Sequence, residues 1–275
     1  MDGGGAGVWQ WTALGHQLRA ALARTCITLA AGVLLALGSC WAHASGLSVA
    51  PTQLDFAAGE SVQGLHLHNT GKSSIHAQLR LFAWAQKSDG SDVLTPSTAL
   101  VVSPPILNIA PDQRQLVRVV RTRASGPPAA REQSYRLLID ELPPAAVEPG
   151  VSRPGLNLVL RFSVPVFVAA DLPPAAPSRA RVSLRFGTAG AVGLNVENPT
   201  SRRLQLADLR IFDAQGQAVF TKPGLLGYVL AGNQRRWRLE PDAKVRATAT
   251  EMQIRINGET VRQPLSALPL EWPAP

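Results

Sequence analysis

The alternation of apolar and polar residues is most regular in residues 156–168, which read LNLVLRFSVPVFV. The alternating large apolar residues are Leu156, Leu158, Leu160 and Phe162. A period of two is typical of a β-strand with two different faces. Pro165 interrupts the run and cannot donate a ladder hydrogen bond, so it predicts a position at a sheet edge. Since long apolar edge strands recruit foreign strands, this face is either half of an internal core or a surface offered to another protein.

Shorter runs of the same kind recur along the rest of the chain. Those between residues 47 and 142 are separated by turn signals such as Asn69-Thr70-Gly71. Others lie between residues 181 and 256, where Asn257-Gly258 then predicts a two-residue hairpin turn. No stretch shows the period of a long helix. This pattern is typical of all-β proteins built from antiparallel sandwiches.

Proline-rich segments predict the boundaries between the structural units. Ser103-Pro104-Pro105 predicts a switch or a bend between sheets, with a cis peptide bond as one way to make it. Residues 143–154, with four prolines, predict a loop, and residues 169–177 (AADLPPAAP) predict a stiff interdomain linker. We therefore expect an N-terminal domain at residues 45–168 and a C-terminal domain at residues 178–275.

Residues 1–44 have the features of an export signal. Arg19 and Arg24 precede an uninterrupted apolar run at residues 27–38, and Ala42-His43-Ala44 matches a signal-peptidase site. The apolar run is shorter than the roughly 20 residues that a membrane-spanning helix needs. We therefore expect soluble export, followed by cleavage of the signal and no direct insertion into the membrane.

Composition adds further expectations about the exported chain. Residues 37–40 (LGSC) leave a lipoprotein cleavage box as an alternative to soluble export. Either way, Cys26 lies in the leader, and cleavage after Ala44 would remove Cys40 as well, leaving a chain stabilised by its cores alone. The formal net charge of +8 favours acidic partners.

Few residues are arranged as catalysis would require. His66 and His68 would share one face of a strand and could bind a metal ion, but no third ligand is visible. Arg235-Arg236-Trp237-Arg238 could bind nucleic acid, although the expected compartment argues against it and a strand with a buried tryptophan explains the pattern equally well. Asp140 and Glu141 are adjacent on a strand, so they would face opposite sides. The sequence thus favours a non-enzymatic protein without a catalytic residue, metal or cofactor.

Several segments resemble the periplasmic chaperones of the chaperone–usher pathway. They are residues 51–60 (PTQLDFAAGE), 67–71 (LHNTG), 92–96 (DVLTP), 101–105 (VVSPP), 109–113 (IAPDQ), 116–119 (LVRV), 135–143 (YRLLIDELP), 163–168 (SVPVFV) and 198–200 (NPT). The SVPVFV ending resembles the branch called archaic. The resemblance implies two immunoglobulin-like domains in a boomerang arrangement, binding pilus subunits and delivering them to an outer-membrane usher.

The resemblance also implies a binding site. Donation of Leu156, Leu158, Leu160 and Phe162 would complete a subunit that lacks its last strand. Family members hold the subunit's terminal carboxylate with two basic residues between the domains; here those positions fall on Gln53 and Ser163, which are neutral. Arg161 is therefore our candidate for the carboxylate partner, since guanidinium groups pair bidentately with carboxylates. The alternative is an exported two-domain adhesin or binding module with no assembly role.

Overall fold

The structure of the protein is a computed structural model that describes residues 46–87, 89–122, 129–143, 159–170, 179–186, 192–239, 245, 248–267 and 270–273. The predicted leader, residues 1–44, lies outside these ranges, as do most of the predicted loop and of the predicted linker. No helix within the described ranges is long and apolar enough to cross a membrane.

The first part of the described chain forms ten strands in two sheets. They are β1 Leu47–Ala50, β2 Leu54–Phe56, β3 Val62–Asn69, β4 Ile75–Gln86, β5 Asp92–Pro96, β6 Leu100–Ser103, β7 Ile106–Ile109, β8 Arg114–Arg121, β9 Gln133–Leu142 and β10 Arg161–Val168. One sheet has the order β1-β3-β8-β6. The other has the order β2-β10-β9-β4-β5, with β7 also paired to β4. Between these strands only the pairing of β2 with β10 is parallel.

The described residues from position 179 onward form eight more strands in two sheets. They are β11 Arg179–Phe186, β12 Val192–Asn198, β13 Leu204–Asp213, β14 Ala218–Val229, β15 Asn233–Leu239, β16 Ala249–Ile256, β17 Glu259–Pro264 and β18 Leu270–Pro273. The sheet orders are β15-β12-β11-β18 and β14-β13-β16-β17. A short 3₁₀ turn, Leu265–Ala267, follows β17.

Each pair of sheets encloses its own apolar core. The fully buried residues of the first core include Leu65, Leu67, Val117, Leu137 and Ile139, which face each other across the two sheets. Those of the second include Leu194, Val196, Leu206, Leu209 and Ile254. Buried and exposed residues alternate along strands such as β6 and β7, as two-layer packing requires. The prediction of an all-β protein with two immunoglobulin-like sandwiches is confirmed.

Two prolines mark places where the chain passes between sheets. Ser103–Pro104 is a cis peptide bond, and it joins β6 in one sheet to β7 in the other. Ala50–Pro51 is also cis, and it separates β1 from β2, which lie in different sheets. Residues 47–55 form one strand-like run in the sequence, but the structure divides this run into β1 and β2 in different sheets, because the pattern of apolar residues does not reveal a change of sheet.

The turn chemistry predicted for the second sandwich is confirmed. Asn257 and Gly258 both have positive φ, 49° and 90°, and connect β16 to β17. Two successive positive φ values are what a type I′ hairpin requires, and asparagine followed by glycine adopts them most readily. Strand β5 was not predicted by its alternation, because only Val93 and Leu94 in it are apolar.

Candidate functional site

Strand β10 is paired along only part of one side. It pairs with β9 over its whole length, from Arg161 opposite Asp140 to Val168 opposite Gln133. On its other side, β2 pairs only with the last three residues, beginning at Val166. No other described strand pairs with β10, so this edge is open from Arg161 to Pro165. The edge position that Pro165 predicts therefore holds for the first five residues of the strand but not for the last three.

Backbone hydrogen-bonding groups line the open edge. The Glu141 N–H donates to the Leu160 carbonyl at 2.9 Å, and the Ala169 N–H donates to the Phe56 carbonyl on β2, also at 2.9 Å. Because backbone groups alternate in direction along a strand, those of Arg161 and Ser163 point away from β9. The backbone groups of Pro165 also point away from β9, so its lack of an N–H removes no hydrogen bond to β9. This part of β10 can accept another strand.

Next to the open edge lie apolar side chains at the rim of the first core. Phe162 is half-buried and packs against that core, while Val164, Val166 and Val168 are fully within it. Leu160 is half-buried just before the strand begins. Leu156 and Leu158 lie outside the described residues. The described part of the predicted donor strand, from Val159 onward, enters strand β10 at Arg161.

Arg161 is held by an acidic neighbour. Its Nε donates to Oδ1 of Asp140, and Arg80 Nη2 donates to the other carboxylate oxygen of Asp140 at 2.7 Å. Burial of the Asp140 carboxyl acts to raise its pKa, but the hydrogen bonds and charges of Arg161 and Arg80 outweigh it and bring the pKa below its ordinary value. Ser163 is exposed on the same face of β10.

Gln53 lies at the opposite end of β10 from Arg161. It directly precedes Leu54, which pairs with Val166, five residues beyond Arg161 or about 16 Å along the strand. Its side chain donates to Asp55 at 2.6 Å and accepts a hydrogen bond from the Tyr228 hydroxyl at 2.9 Å. The structure thus brings Gln53 to the junction of the two sandwiches and leaves Arg161 away from it.

An aromatic cluster joins the two sandwiches. Trp84 on β4, Phe167 on β10 and Tyr228 on β14 have ring centroids 5.4 to 5.9 Å apart. The side chain of Gln86 adds two hydrogen bonds across the junction, donating to the Tyr228 carbonyl and accepting from the Leu230 N–H, both at 2.9 Å. Since Phe167 is itself part of β10, the junction is built onto the end of the strand whose other end is open.

Arg203 adds charge pairs to this cluster. Its guanidinium lies 3.7 Å from the centre of the Phe167 ring and bonds to Asp55 at 2.5 Å and Glu132 at 2.6 Å. Glu132 is buried, and this burial raises the pKa of its carboxyl against the opposing charge of Arg203. No sequence pattern pointed to Arg203, since it is one of many arginines and its two acidic partners are 71 and 148 residues away along the chain.

Arg136 is a second arginine at the junction, and its surroundings differ. It lies on β9 between Pro165 of β10 and Phe82 of β4, with its guanidinium 3.7 Å from the centre of the Trp84 ring. Burial lowers the pKa of this guanidinium. The negative charge of Asp92 acts in the opposite direction on this pKa, but it does not outweigh the burial. Sequence reasoning missed Arg136 because nothing in the sequence distinguishes an arginine that stacks on a tryptophan.

The two histidines and the basic cluster that the sequence singles out lie on strands β3 and β15. His66 and His68 share the outer face of β3, and the described residues contain no group of three or more metal-ligating side chains. On β15, Trp237 is half-buried and its indole N–H donates to the Leu226 carbonyl at 3.2 Å, while Arg236 and Arg238 alternate with it and are exposed. This is the strand with an inward-facing tryptophan that was the alternative to a nucleic-acid site.

Residues 46–172 match the sequence model of the family described as pili and flagellar-assembly chaperone, PapD N-terminal domain. A curated relative, an uncharacterized fimbrial chaperone of Escherichia coli K12 called YcbF, is 25% identical over 170 residues. That alignment covers 61% of this chain and 68% of the relative. The first sandwich, with β10 and its open edge, is thus the part of the chain that resembles a chaperone domain of pilus assembly.

Solved structures share the fold over both sandwiches. One is a chain of the CsuC–CsuE chaperone–tip adhesion subunit pre-assembly complex, from the archaic chaperone-usher Csu pili of Acinetobacter baumannii. It is 22% identical with a TM-score of 0.57, and the match covers 79% of this chain and 98% of that one. A chain from the complex of Salmonella enterica SafA pilin with the SafB chaperone is 21% identical with a TM-score of 0.56, covering 81% and 97%. At these identities the likeness establishes the fold.

The ion pairs at Asp140 predict a pH-dependent contribution to stability. Because the pKa of Asp140 in the folded protein lies below its ordinary value of 3.8, the carboxylate stabilises the fold above that value and loses this effect as the pH falls through the lower folded pKa. Asp140→Asn should lower the free energy of unfolding by up to about 1 kcal/mol at pH 7. Urea denaturation from pH 7 down to about pH 3 should show the difference shrinking below about pH 4.

Asp112→Asn is the matched control, since Asp112 is an exposed turn residue with positive φ, a conformation that asparagine also adopts. It should change stability little at any pH. A loss in Asp140→Asn that is equally large at pH 7 and pH 3 would mean that the ion pairs do not carry the effect.

Proposed function

We propose that this protein is a periplasmic chaperone of pilus assembly, which binds pilus subunits by adding strand β10 to their incomplete sandwich and passes them to an outer-membrane usher. The open edge of β10 from Arg161 to Pro165 carries the proposal, because it offers free backbone groups beside an apolar rim. The match of residues 46–172 to the chaperone family supports it.

The addition of a strand is energetically favourable for a subunit that lacks one. Each large apolar side chain left in water costs the subunit roughly 1.5–3 kcal/mol. An added strand covers those side chains and pairs with the unpaired backbone groups at the same time. We propose that Leu156, Leu158, Leu160 and Phe162 make the apolar contacts. Val159, which is 53% exposed, lies between these positions, and its side chain should face the opposite side of the strand.

The remaining parts of the proposal rest on the sequence. The leader at residues 1–44 supports export to the periplasm, and the SVPVFV ending of β10 supports membership of the archaic branch. Among polar residues, Arg161, Gln53 and Ser163 are the sequence-based candidates for contacts with the subunit's terminal carboxylate. Of these three residues, Arg161 is the positively charged one, and its guanidinium already forms an ion pair with Asp140.

Co-expression tests the function itself. Pilus subunits encoded beside this gene should accumulate in the periplasm when the protein is present, and should be degraded or aggregated when it is absent. Subunit levels measured by immunoblot after osmotic shock provide the readout. Equal levels with and without the protein would favour the adhesin or binding-module alternative instead.

The apolar contacts are tested by changing the face of the strand. The double change Leu158→Asp with Leu160→Asp should abolish co-purification of a subunit, because it would bring two charges into the subunit's core. Val159→Asp is the control, since the neighbouring position should face away and retain binding. Circular dichroism should show both variants folded; if only the double variant unfolds, its leucines belong to the protein's own core.

The role of Arg161 is tested by comparison with Arg80, which pairs with the same carboxylate of Asp140. Arg161→Ala should weaken subunit capture several-fold, the usual effect of losing a charge-assisted hydrogen bond. Arg80→Ala removes the other partner of Asp140 from β4 and should leave capture unchanged. Equal capture by wild type and Arg161→Ala, measured by surface plasmon resonance, would exclude Arg161 from the site.

A further inference from the structure

The second sandwich has a strongly basic outer face, on the sheet that contains β11, β12 and β15. Side chains along these strands alternate between the core and the solvent, and β12 lies between β11 and β15. Glu197 on β12 is the one acidic residue at an outward position of the three strands. Five exposed arginines at outward positions, here termed the arginine face, are Arg179, Arg181 and Arg185 on β11 and Arg236 and Arg238 on β15.

The strand register places these arginines in two rows on either side of β12. Arg185 and Arg238 both pair with Gly193, so they flank a residue that has no side chain. Arg236 pairs with Asn195, which accepts a hydrogen bond from its Nε at 3.3 Å. Because neighbouring strands lie about 5 Å apart, the two rows are about 10 Å apart. The face therefore has a groove with guanidinium groups on both sides and Gly193 at its floor.

The arginines on both sides of Gly193 carry charge that the protein does not pair. Within the described ranges, no ion pair forms to Arg185, Arg236 or Arg238. Arg235, which precedes Arg236, faces the other way and pairs with Asp92 of the first sandwich at 3.3 Å. The motif of three arginines in the sequence is thus divided between the junction of the sandwiches and the arginine face.

The groove continues into an open cavity at one end. Arg181 and Glu197, which are paired residues of the same face, both line this cavity of about 620 Å³. The other two charged residues that line it are Arg179 and Lys87, so three of the four are basic. Lys87 directly follows β4 and belongs to the first sandwich. The excess of positive charge therefore extends from the groove to the boundary with the first sandwich.

An acidic polypeptide segment suits this face better than other anionic macromolecules. Grooves for single-stranded nucleic acid add aromatic side chains on which bases stack, but Trp237 faces inward here and donates to the Leu226 carbonyl at 3.2 Å. Surface helices and similar elements that bind membranes insert apolar side chains, and none of the exposed large apolar residues that the structure describes lies on β11, β12 or β15. Carboxylates need neither, because they pair bidentately with guanidinium groups.

The spacing of the arginines also matches an extended peptide. Outward residues recur about every 7 Å along a strand, and acidic residues at every second position of an extended peptide recur at the same interval. We infer that the arginine face binds an acidic, extended segment of a partner protein, which lies along β12 between the two rows of arginines. This site goes beyond the proposed function, since it involves neither β10 nor a pilus subunit's groove.

The probe is a short fluorescent peptide of alternating glutamate and threonine, with both ends blocked. Purified wild-type protein should bind it in fluorescence anisotropy at low ionic strength, and rising salt should weaken the binding. The same peptide with glutamine in place of glutamate should not bind. The double change Arg185→Gln with Arg238→Gln should lower the affinity at least about tenfold, because it removes charge-assisted hydrogen bonds from both sides of the groove.

Two further variants test the position and the shape of the site. Arg114→Gln with Arg118→Gln removes the same charge from exposed positions of β8 in the first sandwich and should keep the wild-type affinity. Gly193→Thr leaves the charge unchanged but fills the floor of the groove, so it should weaken binding several-fold. A Cβ atom at Gly193 would meet only the Arg185 carbonyl oxygen, at 3.8 Å, so the change should not strain the fold. The melting temperature of each variant shows that it is folded.

Three results would overturn the inference. The wild type does not bind the acidic peptide, or the β8 double variant loses as much affinity as Arg185→Gln with Arg238→Gln. The third is tighter binding of single-stranded DNA or of phosphatidylglycerol vesicles than of the peptide, with the same dependence on Arg185 and Arg238. None of these results affects strand addition, which is measured by co-purification of a subunit and should be unchanged in Arg185→Gln with Arg238→Gln. Conversely, peptide binding by a protein that captures no subunit would leave the arginine face in place and remove the proposed function.

Discussion

The site depends on the incomplete pairing of one strand. Strand β10 is hydrogen-bonded to β9 along its full length, but β2 covers only its last three residues. The covered end is therefore as well fixed as any central strand, while the open end keeps its outward backbone groups unpaired. An edge of this kind is normally a hazard, because it pairs with any available strand. Here the covered end holds the open end in a defined position, next to half-buried Phe162.

The covered end of β10 also carries the contact between the sandwiches. Val166 and Val168 face the first core, whereas Phe167 between them faces the other way and packs with Trp84 and Tyr228. Arg203 then lies over Phe167 and pairs with Asp55 and Glu132, which belong to the first sandwich. One strand therefore links a core, an intersandwich junction and an open edge.

The two arginines near β10 show how burial and charge pairing give the same residue type different roles. Arg161 is mostly exposed and shares the single carboxylate of Asp140 with Arg80, so this group of three side chains keeps one positive charge in excess. Arg136 is half-buried and contacts the face of Trp84, and its pKa is lowered because desolvation is the dominant influence on it. The first arrangement is an ion-pair cluster at the surface, and the second is a guanidinium stacked on an aromatic ring at the junction of the sandwiches. Such a distinction depends on which acidic side chains the fold brings near.

Local sequence patterns determined much of this protein. Alternation and Pro165 predicted an edge strand that the structure shows from Arg161 to Pro165. Ser103-Pro104-Pro105 marked a switch of sheets, and Asn257-Gly258 specified a hairpin, because each depends on backbone preferences over a few residues. Only the folded chain shows that β2 closes part of the β10 edge, that Gln53 lies beside Tyr228, and that Arg161 shares its acidic partner Asp140 with Arg80. These features join residues far apart in the chain, and pairing, burial and charge neutralisation between distant residues leave no periodic signal in the sequence.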